Sequence, residues 1–101
     1  MTERVVIVEG VRTPIGRFGG TLKNVSSGFL AAHVITALLN KTGVHPEQVE
    51  EVILGEVRQT TESSNVARVA AVRAKIPVEV PAFTINRLCA SGMQAIASGV
   101  Q

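Results

Sequence analysis

Residues 81–101, PAFTINRLCASGMQAIASGVQ, contain the single cysteine of the chain, Cys89. Ala82 to Ile85 reads as a short buried strand, and Asn86-Arg87-Leu88 as a tight connection. From Cys89 or Ala90 onward the pattern is helical. Cys89, Met93, Ile96 and Val100 fall at i, i+4, i+7 and i+11, one face of a helix. The other faces carry Ala90, Ser91, Gly92, Ala95, Ala97, Ser98 and Gly99, and no charge follows Arg87. A helix that is apolar or small all round is expected to be buried. Its two glycines would each weaken an exposed helix by about 1 kcal/mol relative to alanine, a cost accepted where backbones pack closely. Cys89 is thus expected at a strand-to-helix junction, at the head of a buried helix.

That position has two chemical readings. The first turn of a helix has unpaired N–H groups and a partial positive charge. A thiolate is favoured there, and its nucleophilic form is more populated. The same N–H groups can bind the oxyanion formed when a thiolate attacks a carbonyl. The alternative is an inert buried cysteine that packs as a small hydrophobe.

The wording of the motif separates them. Asn86-Arg87-Leu88-Cys89-Ala90-Ser91-Gly92-Met93-Gln94-Ala95-Ile96 resembles the active-site cysteine signature of thiolases. The likeness extends to Val11-Arg12-Thr13-Pro14-Ile15-Gly16-Arg17-Phe18-Gly19-Gly20, to Val52-Ile53-Leu54-Gly55 and to Pro77-Val78-Glu79-Val80-Pro81-Ala82-Phe83. It runs nearly end to end, in the family's order and spacing, and is most like acetyl-CoA acetyltransferases. The resemblance implies an acyl-CoA acyltransferase that makes or cleaves acetoacetyl-CoA or another 3-ketoacyl-CoA. It makes Cys89 the nucleophile that takes the acyl group, with its own N–H helping to bind the thioester oxyanion. It further implies an activating histidine, a second acid/base cysteine and an Asn-held water, all later than Gln101. Neither His33 nor His45 matches those motifs. Coenzyme A thioesters are expected as substrates, with no prosthetic group and no metal. Thiolases are dimers or dimers of dimers, so a homodimer or homotetramer is expected.

Upstream of the cysteine, Arg4 to Val11 is an almost continuous apolar run, as in a central parallel strand. Residues 12–23 hold Gly16, Gly19 and Gly20, but Gly20 is followed by Thr21-Leu22-Lys23 rather than the Gly-Lys-Ser/Thr of a phosphate loop. The GxGxxG of a dinucleotide site is absent too, so these are turn glycines. Ser26 or Ser27 caps a helix to about Asn40, ended by Gly43. Its apolar face is Leu30, Val34, Ala37 and Leu38; His33, Thr36 and Asn40 form the polar face. His45-Pro46-Glu47-Gln48 opens a short helical turn with Pro46 in its first-turn position.

Val52 to Val57 is a second strand. Ser63, Ser64 or Asn65 caps a helix to about Lys75, with Val66, Val69, Ala70 and Val72 apolar and Ile76-Pro77 as its stop. The order β-α-β-α-β-α predicts α/β architecture with parallel strands and right-handed crossovers. By resemblance this is the first part of the N-terminal half of a layered α/β/α/β/α thiolase fold. Residues 1–101 would then be part of one domain, with the cysteine helix between two sheets. The last helix has no C-cap signal at Val100-Gln101, which reads as a truncated chain.

Composition excludes several classes. Hydrophobic residues make up 46% of 101 residues, enough for a globular core. The aromatic residues are three phenylalanines and the net charge is +2, which supports neither an electrostatic nor a stacking surface for nucleic acid. Two histidines and one cysteine have no zinc-ligand spacing. The N-terminal apolar run is short and broken by Glu9, so it is not a signal peptide. No run approaches the ~20 apolar residues of a membrane span. A cytosolic protein without membrane or nucleic-acid partners is expected. Two other readings are a ketoacyl-synthase-type condensing enzyme, which shares the cysteine-on-helix design, and a catalytically inert fragment or assembly module.

Overall fold

Two parallel strands hold the molecule together. In a computed structural model, which describes residues 3–101, β1 (Val52–Gly55) pairs with β2 (Ala82–Ile85), Val52 opposite Ala82 and Gly55 opposite Ile85. The helix α2 (Val66–Arg73) makes the crossover between them, as a parallel pair requires. Before β1 come α1 (Ser27–Thr42) and a single 3₁₀ turn at Pro46–Gln48; after β2 comes α3 (Ser91–Val100).

The caps fall where local chemistry puts them. The Ser26 hydroxyl accepts from the Phe29 N–H at 3.2 Å, and Gly43 closes α1 in the left-handed region at φ 74°. Of the three candidates before α2, Asn65 is the cap, its Oδ1 accepting from Arg68 N–H. Asn65 also ties α2 to β2. Its Nδ2 donates to the Ala82 carbonyl at 3.1 Å, and its Oδ1 accepts from Thr84 Oγ1 at 2.7 Å. Gly16 and Gly19 have positive φ, as turn glycines do.

The core lies between α2 and one face of the sheet. Val52, Ala67, Ala71, Ala74, Ile76 and Val80 form it, and Ile35 and Leu39 of α1 close over it. Alanines at 67, 70 and 71 let α2 sit close to the strands. This corrects the expected α2 face: Ala67 and Ala71 are buried, whereas Val72 turns outward. α3 packs on the opposite face of the sheet. A Cβ built on Gly55 would lie 2.5 Å from the Ser91 carbonyl carbon, so only glycine admits the helix there. Gly55→Ala is expected to destabilise the protein by ~1–3 kcal/mol, the usual cost of overpacking a close contact. Urea unfolding checks this, with Gly92→Ala, where a Cβ meets nothing, as the control.

The N-terminal strand expected from Arg4 to Val11 is not formed. These residues have no regular structure, and Ile7 is 81% exposed. A strand exists only when another strand takes up its N–H and C=O groups, and β1 and β2 are the pair formed among the described residues. An exposed ion pair, Glu9 to Lys41 at 3.6 Å, touches this segment to the end of α1. The Gly10 N–H and, second, Lys41 hold the Glu9 carboxyl below its ordinary range. β1 also ends at Gly55 rather than Val57, because the segment from Glu56 bends away after one further ladder bond to Ile85.

Candidate functional site

The turn from Asn86 to Ser91 carries the cysteine. β2 ends at Ile85, at the C-terminal edge of the parallel pair. Leu88 adopts a left-handed conformation with φ 50°. Ala90 N–H then donates to the Arg87 carbonyl and Ser91 N–H to the Leu88 carbonyl, each at 3.0 Å. These turn bonds delay the helix. Ala90 is its N-cap and Ser91 its first residue, so Cys89 stands just ahead of α3 rather than in its first turn.

The expected burial is also corrected. Cys89 is exposed. The inner face of α3 is Ser91 and Ala95, flanked by Gln94 and Ser98. Met93 is 71% and Ile96 54% exposed. The reason is steric. The helix approaches Gly55 closely enough that only small side chains fit between it and the sheet. The larger apolar ones, on the same stripe as Cys89, turn outward and lie uncovered.

Side chains fix the turn at two points. Asn86 Oδ1 accepts from Leu88 N–H at 2.8 Å, and its Nδ2 donates to the Val57 carbonyl at 2.9 Å. Ser91 Oγ accepts from Arg87 N–H at 2.9 Å and donates to the Leu88 carbonyl at 2.7 Å. Arg87 extends over the helix, its Nη1 donating to Gln94 Oε1 at 2.7 Å, and Gln94 donates on to Ser98 Oγ. The N–H groups of Cys89, Gly92 and Met93 take part in no hydrogen bond among the described residues. They surround the start of the helix, where an oxyanion is stabilised. An exposed thiol beside free N–H groups is an arrangement suited to acyl transfer. The sequence marks Cys89 as the cysteine of the motif; it does not mark the hydrogen bonds of Asn86 and Ser91. The signal for them was present, since a short polar side chain two or three residues from a forced bend commonly bonds to its backbone.

No histidine comes to this turn. His33 is exposed on α1, which packs against α2 on the other side of the sheet, and His45 precedes the 3₁₀ turn. His33 lines an open cleft of ≈ 890 Å³ with Ser26, Phe29, Glu62 and Arg73. The lining of that cleft contains neither Cys89 nor any residue of its turn. Among the described residues no group of three or more His, Cys, Asp or Glu could hold a metal ion. No helix there is long and apolar enough to cross a membrane.

A family model described as "Thiolase, N-terminal domain" matches residues 5–101. An acetyl-CoA acetyltransferase of Syntrophomonas wolfei is 48% identical over 101 residues, all of this chain and 26% of that protein. One from Cupriavidus necator is 49% identical over 92 residues, covering 91% of this chain and 23% of the relative. The crystal structure of the Bacillus anthracis acetyl-CoA acetyltransferase superposes with a TM-score of 0.85 at 50% identity, over 89% of this chain and 23% of that one. Human mitochondrial 3-ketoacyl-CoA thiolase in complex with CoA gives 0.85 at 44% identity, with the same coverage of 89% and 23%. The chain thus spans about a quarter of the length of these relatives.

Proposed function

The chain belongs to the thiolase family, and from that premise we propose that it is the N-terminal part of an acyl-CoA acyltransferase, an acetyl-CoA C-acetyltransferase, with Cys89 as nucleophile. The observation that carries the reading is the exposed Cys89 on a fixed turn that also holds three N–H groups without a hydrogen-bond partner among the described residues. Cys89 Sγ attacks the thioester carbonyl of acetyl-CoA. The carbonyl electrons move onto oxygen, where the Cys89 N–H meets them. Collapse breaks the bond to the coenzyme A sulfur, which leaves as a thiolate and takes up a proton. A second acetyl-CoA gives up an α-proton, which balances the one the coenzyme A thiolate took up, and its α-carbon attacks the acetyl carbonyl on Cys89 and displaces the cysteine sulfur. That attack forms acetoacetyl-CoA and returns the thiolate; the reverse sequence cleaves a 3-ketoacyl-CoA. One difficult transfer becomes two easier ones.

On this reading the substrates are coenzyme A thioesters and no prosthetic group or metal is needed. The enzyme works in the cytoplasm, in fatty acid metabolism, and residues 1–101 are part of its N-terminal domain. The test is the acyl donor. The full-length protein is incubated with acetyl-CoA and the Cys89 peptide is weighed by mass spectrometry. A gain of one acetyl group there, followed by acetoacetyl-CoA formation, is expected. Acylation from acyl carrier protein alone would assign the ketoacyl-synthase chemistry instead.

The same reading includes a homodimer or homotetramer. Within the described residues β2 pairs on one side alone, with β1. A free strand edge is a template for another strand. Light scattering of the full-length protein at micromolar concentration is expected to give at least the dimer mass; a monomer mass would count against assembly.

A further inference from the structure

The geometry points to Asn86 as a positioning residue for the Cys89 nucleophile, an inference that rests on the acyl-transfer reading above. Cys89 has no clamp of its own: its N–H has no partner among the described residues and its side chain is exposed. Its position is therefore inherited from the residues on either side. Leu88, immediately before it, is held in a left-handed conformation that a side chain of this size adopts only under constraint. The constraint has an inner and an outer half. The inner half is Ser91, which is buried, seated on Gly55 and part of α3. Changing it would disturb the helix as well as the turn.

The outer half is Asn86, and it is separable from the fold. Its side chain is exposed and belongs to no core. Its two bonds point in opposite directions along the sequence. Oδ1 holds the Leu88 N–H at 2.8 Å, and Nδ2 grips the Val57 carbonyl at 2.9 Å, 29 residues away in the segment that leaves β1. Asn86 thereby fastens the cysteine turn to the end of the neighbouring strand. Both Cys89 Sγ and the Cys89 N–H ride on that fastening, so it aligns the attacking atom and the oxyanion donor together. Alignment of that kind is worth much: a displacement of about 1 Å can cost roughly 100-fold in rate.

The test compares the full-length wild-type protein with Asn86→Ala and Asn86→Asp. Aspartate keeps the acceptor for Leu88 N–H and loses the donor to Val57. Acetylation of Cys89 by saturating acetyl-CoA is expected to fall roughly 10- to 100-fold in Asn86→Ala, with KM and thermal midpoint near those of wild type. Asn86→Asp should recover part of the rate. Alkylation by iodoacetamide needs an accessible thiolate but no oxyanion donor, so it should change far less than acetylation in both variants. Equal acetylation by Asn86→Ala and wild type would overturn the inference alone. Parallel losses of acetylation, alkylation and thermal midpoint would reduce Asn86 to a structural residue and overturn it too. A wild-type protein that never takes acetyl on Cys89 overturns the acyl-transfer reading and this inference with it.

Discussion

Cys89→Ala in the full-length protein is expected to abolish the acyl-enzyme while leaving the fold close to normal. The side chain is exposed, and no hydrogen bond among the described residues uses its sulfur. The turn is held by Asn86 and Ser91, so a methyl group in place of the thiol removes chemistry and little packing. The loss in kcat should be on the order of 10⁴- to 10⁶-fold, the scale on which removing a covalent nucleophile acts. Cys89→Ser should be close to inactive too, because an alkoxide is far harder to form than a thiolate. Mass spectrometry after acetyl-CoA treatment and a thermal melt decide the matter together. An acetylated alanine variant would place the nucleophile elsewhere, and a collapsed melting transition would make Cys89 a structural residue.

What was readable in the sequence were those features fixed by short-range chemistry. Ser26, Gly43, Pro46 and Asn65 cap or start their elements because side-chain and backbone geometry within a few residues decides it. The Ala82–Ile85 strand has the bounds expected from its apolar run. The features that were not readable depend on what lies across from them. Residues 4–11 have the composition of a buried strand, but composition does not supply a partner edge. Met93, Ile96 and Val100 do share one face of α3, with Cys89 ahead of the helix rather than on it, yet periodicity does not say which side a face meets. Here the small face, Ser91 and Ala95, won the sheet because Gly55 leaves room for nothing larger. For the candidate site, the motif and the strand-to-helix junction are what point to Cys89 in the sequence. The left-handed Leu88, and the bonds that Asn86 and Ser91 make around it, belong to the folded turn and not to any periodicity in the sequence.

These 101 residues made alone are expected neither to catalyse nor to fold into a stable monomer. The argument begins at α3. Met93, Ile96 and Val100 lie on its outer face, more than half exposed. Each such side chain forgoes about 1.5–3 kcal/mol relative to full burial. Together they forgo a sum comparable to a large part of the ~5–15 kcal/mol that holds an ordinary domain together. Val5 to Val8 add a second uncovered apolar surface, and no side chain of the core is both large and fully buried. A two-stranded sheet is a small base for this load, since isolated two-stranded sheets are marginal in water. Apolar surface on this scale also favours association. Catalysis fails for a separate reason: the structure brings no histidine to Cys89, so the thiol has no base to activate it. Urea unfolding followed by circular dichroism, with size exclusion of the same sample, tests the folding claim. A shallow, non-cooperative transition or an aggregate at the column void is expected. A soluble monomer with a cooperative transition would refute it, and would show that α2, the sheet and α3 make a sufficient core with the outer face of α3 left in water.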